Sequence, residues 1–429
     1  MTLRKGIEQH RLFRPNGTFH ALTYRNFRLF FVGQLVSVAG SWMQIVAQNW
    51  LVWQITRSTA WLGIVTGAGA LPFLVFTFLG GRLADSYPRR SILVVTQTLL
   101  MVLAFLMALI ASKVSPVPLQ AWMIAVIAAI TGAVTSVNMP AQQAFVTEMV
   151  EHREAIGNAI ALNSLRFNIA RAMGPALAGF VLVRGGAALC FLLNGLSFIA
   201  VIISLLMMRL PPFEPRPGNR GIIDGVRYIR STAWVAQILV LVFVSSLLIW
   251  QVTTLFPALA GKGVDGPRIY SYLMVSNGVG SVIAGFALAG WEVPIRNKLS
   301  VTRAAALSAV FVLLIGVVRG VPLLIVAVFC SGVVMTLFGI GAQTRVQRAV
   351  PDSLRGRVMA IYTLLANGRY SLGGLEIGPL AQIVGVEQAI VFNSVLSLLI
   401  VALVALVSGK SAALSLTMER ERALAASKD

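Results

Sequence analysis

A chain of 429 residues, 57% hydrophobic and only 12% charged, with a mean hydropathy of +0.82, has the composition of a membrane protein rather than of a soluble domain. Its formal net charge of +20 would fit a nucleic-acid binder, but the basic residues stand in short clusters between long apolar runs. Basic loops beside bilayer headgroups explain that patterning, and nucleic acid is excluded as a partner. Cys190 and Cys330 lie within apolar runs and the three histidines are scattered, so the chain offers no disulfide framework, no metal-ligand spacing and no cofactor site.

The basic N-terminal segment, residues 1–28, lacks the short apolar stretch and small-residue cleavage site of a signal peptide, and is expected to stay attached and cytosolic. A bilayer core takes about 20 helical residues, and twelve stretches meet that need: roughly 29–53, 61–83, 91–112, 119–139, 158–182, 187–208, 235–258, 270–290, 301–318, 321–344, 357–384 and 388–408. Helices are the economical reading, because open sheet edges go unsatisfied in lipid. With both termini cytosolic, about 26 of the 35 lysines and arginines fall on the cytosolic side, about 6 outside and three within spans. The expectation is a multi-pass protein of the plasma (inner) membrane.

Span 1 carries Gln34, Ser37, Ser41, Gln44 and Gln48, whose spacing puts them on one helix face. A polar stripe in a spanning helix lines a watery cavity or serves as interhelical glue, and the cavity is favoured here. Between spans 2 and 3 the chain reads GGRLADSYPRRS, a gathering of charge in a charge-poor sequence. Span 4 repeats the stripe with Thr131, Thr135, Asn138 and Gln142. Span 5 holds Arg166 and Arg171, five apart and therefore on different faces.

Residues 209–234, rich in Pro and Arg, read as a cytosolic linker between a first group of six spans, 29–208, and a second, 235–409, with a cytosolic tail at 410–429. A weak internal repeat supports the division. AQQAFVTEMVEHREAIGNAIALNS, from Ala141, and AQTRVQRAVPDSLRGRVMAIYTLL, from Ala342, share an Ala-Gln pair, a charged turn and an Ala-Ile pair, and Gly174-Pro175 and Gly378-Pro379 follow. In the second group, span 7 offers Ser245 and Gln251 and span 10 offers Thr336 and Gln343. Span 11 holds Arg369 and the only acidic residue deep in any span, Glu376, either a proton site or a structural partner of Arg171 or Arg369.

The loop after span 2 resembles the G-x-x-x-D-[RK]-x-G-[RK]-[RK] motif of the major facilitator superfamily: Gly81, Asp85, Arg89 and Arg90 match, whereas Ser86 and Pro88 depart from it. FRLFFVGQLVSVAGSWMQIVAQNWLVWQIT, NAIALNSLRFNIARAMGPALAGF and PDSLRGRVMAIY are similar to the branch of that superfamily holding the enterobactin exporter and the transmembrane secretion effectors. The resemblance implies an all-α integral membrane fold of twelve transmembrane helices in two pseudo-symmetric six-helix bundles around a central cavity, lined by spans 1, 4, 7 and 10. It also implies export of a small molecule driven by the proton gradient. In such folds the start of span 11 is the partner of the loop motif. Asp85 would therefore latch against the segment holding Arg355 and Arg357, while Arg89 and Arg90 would anchor the loop to headgroups. Gly174, Pro175 and Gly179 resemble the Gly-Pro motif of exporters without its regularly spaced upstream glycines, and predict a kink or a close helix contact.

The neutral amide-and-aromatic lining, with Trp50 and Trp250 nearby, suits a bulky amphipathic solute better than a small ion. The expected partners are that solute, a coupling proton and the bilayer, with the chain acting as a monomer. No intramembrane protease or metal motif and no phosphate-binding loop occurs, which argues against an enzyme and against ATP-driven transport. An importer or facilitator of the same fold, or a transport-incompetent sensor or scaffold, are the alternatives.

Overall fold

The computed structural model describes residues 19–426 apart from 113, 115–117, 147, 151, 211–221, 262–264, 291–297 and 368. An apolar run can pair its backbone internally only as a helix, and the described runs are helical: α1 (Arg25–Thr56), α2 (Thr59–Ser86), α3 (Arg89–Ile110), α4 (Ala121–Val146) and α5 (Arg153–Leu206) before the linker. After it come α6 (Ile222–Ser231), α7 (Ala233–Val244), α8 (Phe256–Ala260), α9 (Gly266–Gly290), α10 (Lys298–Val317), α11 (Val321–Ala349), α12 (Asp352–Asn367), α13 (Arg369–Val384) and α14 (Val386–Ala426). By length and composition, eight described helices could cross a bilayer, and shorter apolar stretches at Thr59–Phe73, Val301–Val317 and Leu372–Val384 accompany them. The protein is thus an all-α, multi-pass integral membrane bundle.

Local chemistry sets where these helices stop and bend. Ser58 caps α2 by accepting the Trp61 amide, and α5 breaks at Gly186, whose φ of 70° favours glycine. The seventh span, read from the sequence as one helix, is interrupted: after α7 a wide π turn at Ser245–Ile249 and a tight 3-10 turn at Trp250–Leu255 lead into α8. The β-branched run Val252, Thr253, Thr254 and the missing amide of Pro257 account for the interruption. The second part of the linker is also structured. Helix α6 packs on α12, with Gly225 against Arg357, and α14 runs on through most of the tail.

The buried apolar residues fall into three clusters whose membership gives the shape. One draws only on residues 21–208, among them Phe27, Phe30, Leu93, Phe145 and Leu205. A second draws only on residues 235–401, among them Ile238, Ala305, Phe338, Val358 and Val401. Both lie at the end where the linker joins the helices, here called the linker end. The third, at the opposite or loop end, mixes Val46, Trp50 and Phe191 with Phe256, Tyr270, Ile315 and Ile377. The helices before and after the linker therefore share a core at the loop end and hold separate cores at the linker end. Helix α2 packs on α13, and α5 on α9, to make the shared part.

Candidate functional site

The loop end is closed by close backbone approach and by hydrogen bonds, with no ion pair across it among the described residues. A Cβ on Gly63 of α2 would fall against the Gly374 carbonyl oxygen, and one on Gly378 of α13 would stand 2.6 Å from Gly63 Cα. Beyond that crossing, Gln382 Oε1 accepts from Ser58 Oγ at 3.0 Å and from the Thr59 amide at 3.1 Å. Arg57 donates to the Gly261 carbonyl at 3.0 Å, Trp50 stacks on Tyr270 with centroids 5.7 Å apart, and the Tyr270 hydroxyl donates to the Val46 carbonyl. Gly174, the first residue of the Gly-Pro pair, lies directly under Trp42 and the Ala39 carbonyl.

At the linker end the charges are used within each set of helices. Arg89 is only 4% exposed, pairs with Glu148 and donates through Nε to the Ala84 carbonyl at 3.1 Å. Arg90 caps the Leu206 carbonyl at 2.8 Å, and Gly81 has nothing near its Cα that a Cβ would meet. Asp85, in the last turn of α2, accepts no hydrogen bond from a described residue. Across the linker, Arg357 pairs with Asp224 of α6 at 2.8 Å and Arg355 donates to the Gln347 carbonyl. Asp85 and the start of α12 are thus not joined in this conformation. Arg89 faces inward onto Glu148 and the Ala84 carbonyl, whereas the contact of Arg90 with the Leu206 carbonyl is exposed.

The polar residues along the spans are mostly engaged. Gln34, Ser37 and Gln44 are buried, and Ser41 and Gln48 half-buried. Gln44 Oε1 accepts from Asn194 of α5 at 2.6 Å, and Ser41 donates to the Ser37 carbonyl. Asn138 turns toward α3, where Thr96 donates to it at 2.8 Å, and Thr135 bonds back to Thr131. Gln251 is buried in the 3-10 turn against Gly373, while Gln343 is exposed near the linker end of α11.

The three intramembrane charges with described side chains, Arg166, Arg171 and Glu376, have different partners. Arg166, 2% exposed, donates to Gln34 Oε1 at 3.1 Å and to Asn163 Oδ1 at 2.9 Å, while Gln142 Nε2 donates to the same Gln34 oxygen. Arg171 crosses to the helices after the linker, donating to Ser281 at 3.3 Å with its guanidinium 5.3 Å from the centroid of the Trp250 ring. Glu376 accepts from Asn393 of α14 at 3.0 Å and forms no ion pair among the described side chains. The Arg369 side chain lies outside those described.

This arrangement, helices converging at one end around a polar seam, has relatives. Residues 16–423 match the family model described as "Transmembrane secretion effector". The chain belongs to that family, within the major facilitator superfamily. The secretion-effector chain is 26% identical over 379 residues to the staphyloferrin A transporter of Staphylococcus aureus, covering 84% of this chain and 91% of the relative. It is 26% identical over 388 residues to the multidrug efflux pump Tap of Mycobacterium tuberculosis (82% and 86%), and 24% identical over 370 residues to the enterobactin exporter EntS of Escherichia coli (82% and 86%). Among solved structures it is similar to a bacterial homologue of the lysosomal transporter Spinster, inward-facing and unoccupied. There the TM-score is 0.67 at 13% identity, over 89% of this chain and 96% of that one. A peptide transporter solved with sulfate gives a TM-score of 0.68 at 13% identity, over 95% and 98%. Family membership makes this a small-molecule transport protein rather than an enzyme.

Several residues that organise the secretion-effector site were not singled out from the sequence. Glu148 stood within the quoted repeat, in its charged turn, and Asp224 within the linker, but neither was assigned a partner. Gln382, Asn194, Asn393 and Ser281 are isolated polar residues in apolar runs, a signal present for all four, although which helix each meets depends on packing.

Proposed function

We propose that the protein is a secondary active exporter of a small amphipathic organic molecule, siderophore- or drug-like, working by alternating access with proton antiport. Counting both arms of α5 and the three shorter apolar stretches with the long helices brings the set to the twelve spans read from the sequence, in two bundles at 29–208 and 235–409 joined by the linker. Both termini are taken as cytosolic in the plasma membrane, and the chain as a monomer.

One observation carries this reading: the buried core is continuous across the two sets of helices at the loop end and divided at the linker end. A fixed scaffold would gain by burying apolar surface at both ends. A transporter must leave one end apart in each state, and its bistable element is the pair of bundles. With the termini cytosolic, this is the inward-facing state, ready to load solute from the cell. The names of three relatives, a staphyloferrin A transporter, a multidrug efflux pump and an enterobactin exporter, support a small organic solute, and the last two support the direction.

The test compares the metabolites in the medium of cells with and without the gene, then repeats the comparison with a protonophore. A compound enriched outside only when the gene is present, and lost with the protonophore, is the expected result. Enrichment inside the cells would make the protein an importer. No difference in medium or cells, together with no counterflow in proteoliposomes, would leave a sensor or scaffold.

A further inference from the structure

Arg166 is a buried cation whose described hydrogen-bond partners are all neutral. Its two bonds go to the amide oxygens of Gln34 and Asn163, and Phe30 flanks it with the guanidinium 5.6 Å from the ring centroid. Neither its Nε nor Gln34 Nε2 has a hydrogen-bond partner, although both are buried. The Gln34 amide cannot relieve this by rotating. Its oxygen already accepts from Arg166 and from Gln142, and arginine has no acceptor to offer in exchange. The cluster therefore holds two unused donors and a full positive charge, with no carboxylate among its described members.

What it lacks is an anion with paired oxygens, which a guanidinium binds in a fork. No ion pair to Arg166 exists among the described residues. The position also argues against a lipid headgroup. Arg166 lies eight residues into the span that begins near residue 158, about 12 Å along the helix at 1.5 Å per residue. A buried, unneutralised charge at that depth is expensive to keep, which is a physical reason to look for an occupant.

We propose that Arg166, with Gln34 and Gln142, is a binding subsite for the carboxylate of an amphipathic organic acid, with Phe30 beside its apolar part. Gln142, half-buried and bonded to Gln34, closes the cluster in the unoccupied protein. The carboxylate then replaces Gln34 Oε1 on the guanidinium and accepts from Arg166 Nε and Gln34 Nε2. This deepens the transport reading by naming the class of solute, and rests on that reading for the ligand's route in and out. Binding alone is the readout below, so its failure leaves export of a neutral solute standing. Failure of the metabolite comparison would conversely leave the subsite intact.

The experiment measures the thermal unfolding of the purified full-length protein in detergent against increasing benzoate, with benzamide as the uncharged isostere and chloride at matched ionic strength. Benzoate is expected to raise the unfolding temperature saturably in the native protein, and benzamide and chloride are not. Arg166→Gln should lose the response. Gln34→Glu, which supplies a carboxylate from within, should raise the unfolding temperature without ligand and remove the benzoate response. That variant keeps the proposal testable if Arg166→Gln does not fold. An equal shift from benzamide or chloride, no saturable shift in the native protein, a benzoate response retained in Arg166→Gln, or a lowered unfolding temperature in Gln34→Glu would each overturn the assignment.

Discussion

Gly378→Ala is the smallest change that tests whether the crossing of α2 and α13 is the loop-end gate. The added methyl would lie 2.6 Å from both Gly63 Cα and the Thr59 carbonyl oxygen. Ordinary contacts of carbon need about 3.5 Å or more, so the helices must part by roughly 1 Å. The obstructing atoms are backbone, and no side-chain rotation relieves them. Overpacking of this kind costs about 1–3 kcal/mol, and the cost falls only on the state in which the loop end is closed. At 1.4 kcal/mol per factor of ten, the equilibrium should move roughly 5- to 150-fold toward the state with the loop end open. The fold itself should survive, because alanine gains about 1 kcal/mol over glycine within a helix in either state. Spin-label pairs in a background with Cys190 and Cys330 replaced read the shift: Ser112→Cys with Arg268→Cys spans the loop end, and Arg82→Cys with Gln347→Cys spans the linker end. The first distance should lengthen and the second shorten. Unchanged distances, with a raised unfolding temperature, would show that the crossing is ordinary packing and not a gate.

Removing one partner of the Arg89–Glu148 pair should destabilise the protein by about 3 kcal/mol, since Arg89 is 4% and Glu148 24% exposed; Arg89→Met with Glu148→Leu should lose less than the sum of the single changes in a thermal-unfolding cycle. Asp85→Asn should leave stability within about 0.5 kcal/mol, having no bond to lose in this state, while lowering transport by shifting the same spin-label distances. Glu376→Gln should abolish uphill, pH-driven efflux and preserve exchange; its described partner is the neutral Asn393, so early unfolding of the variant would argue instead for a structural role. Single cysteines at Ser41 and Gln48, which are half-buried, should react with water-soluble thiol reagents faster than cysteines at the outward neighbours Val36 and Ile45, and equal rates around the helix would count against the stripe.

The membrane class and the helices were legible because hydropathy and length act within a single run. The interior of the seventh span was not, because its break comes from Val252 to Thr254 and Pro257 acting together inside a sequence apolar enough for a continuous helix. The stripe Gln34 to Gln48 showed its shared face through its spacing, but periodicity says nothing of what lies opposite. Gln44 meets Asn194, 150 positions later, and Gln34 meets Arg166, 132 positions later. The same limit applies to the loop motif. Its residues could be located by pattern, whereas the partners of Arg89 and Arg357, Glu148 and Asp224, are set by how the helix ends are folded together.

The two ends are held by different forces, which bears on how little energy a transport cycle needs. The linker-end pairs, Arg89 with Glu148 and Arg357 with Asp224, lie within one set of helices or between it and the linker, and need not break when the bundles rock. The loop end is joined by groups that separate cleanly: glycines in contact, a stacked Trp50 and Tyr270, and hydrogen bonds to Gln382 and to the Gly261 carbonyl. Each neutral bond contributes about 0.5–1.5 kcal/mol net and the one from the Arg57 guanidinium about 1.5–3 kcal/mol, because water replaces each on opening. Reversing a 99:1 population takes about 5.5 kcal/mol of differential binding. A few such bonds together with the apolar contacts shared there reach that order, which the differential binding of a solute can supply. A buried ion pair across the gate would behave otherwise: parting it leaves charges to be resolvated and can cost about 3–5 kcal/mol by itself. Arg171, donating to Ser281 beside Trp250, is the one described charge that crosses between the sets within the membrane. Its contacts with described residues include a hydroxyl and an aromatic face.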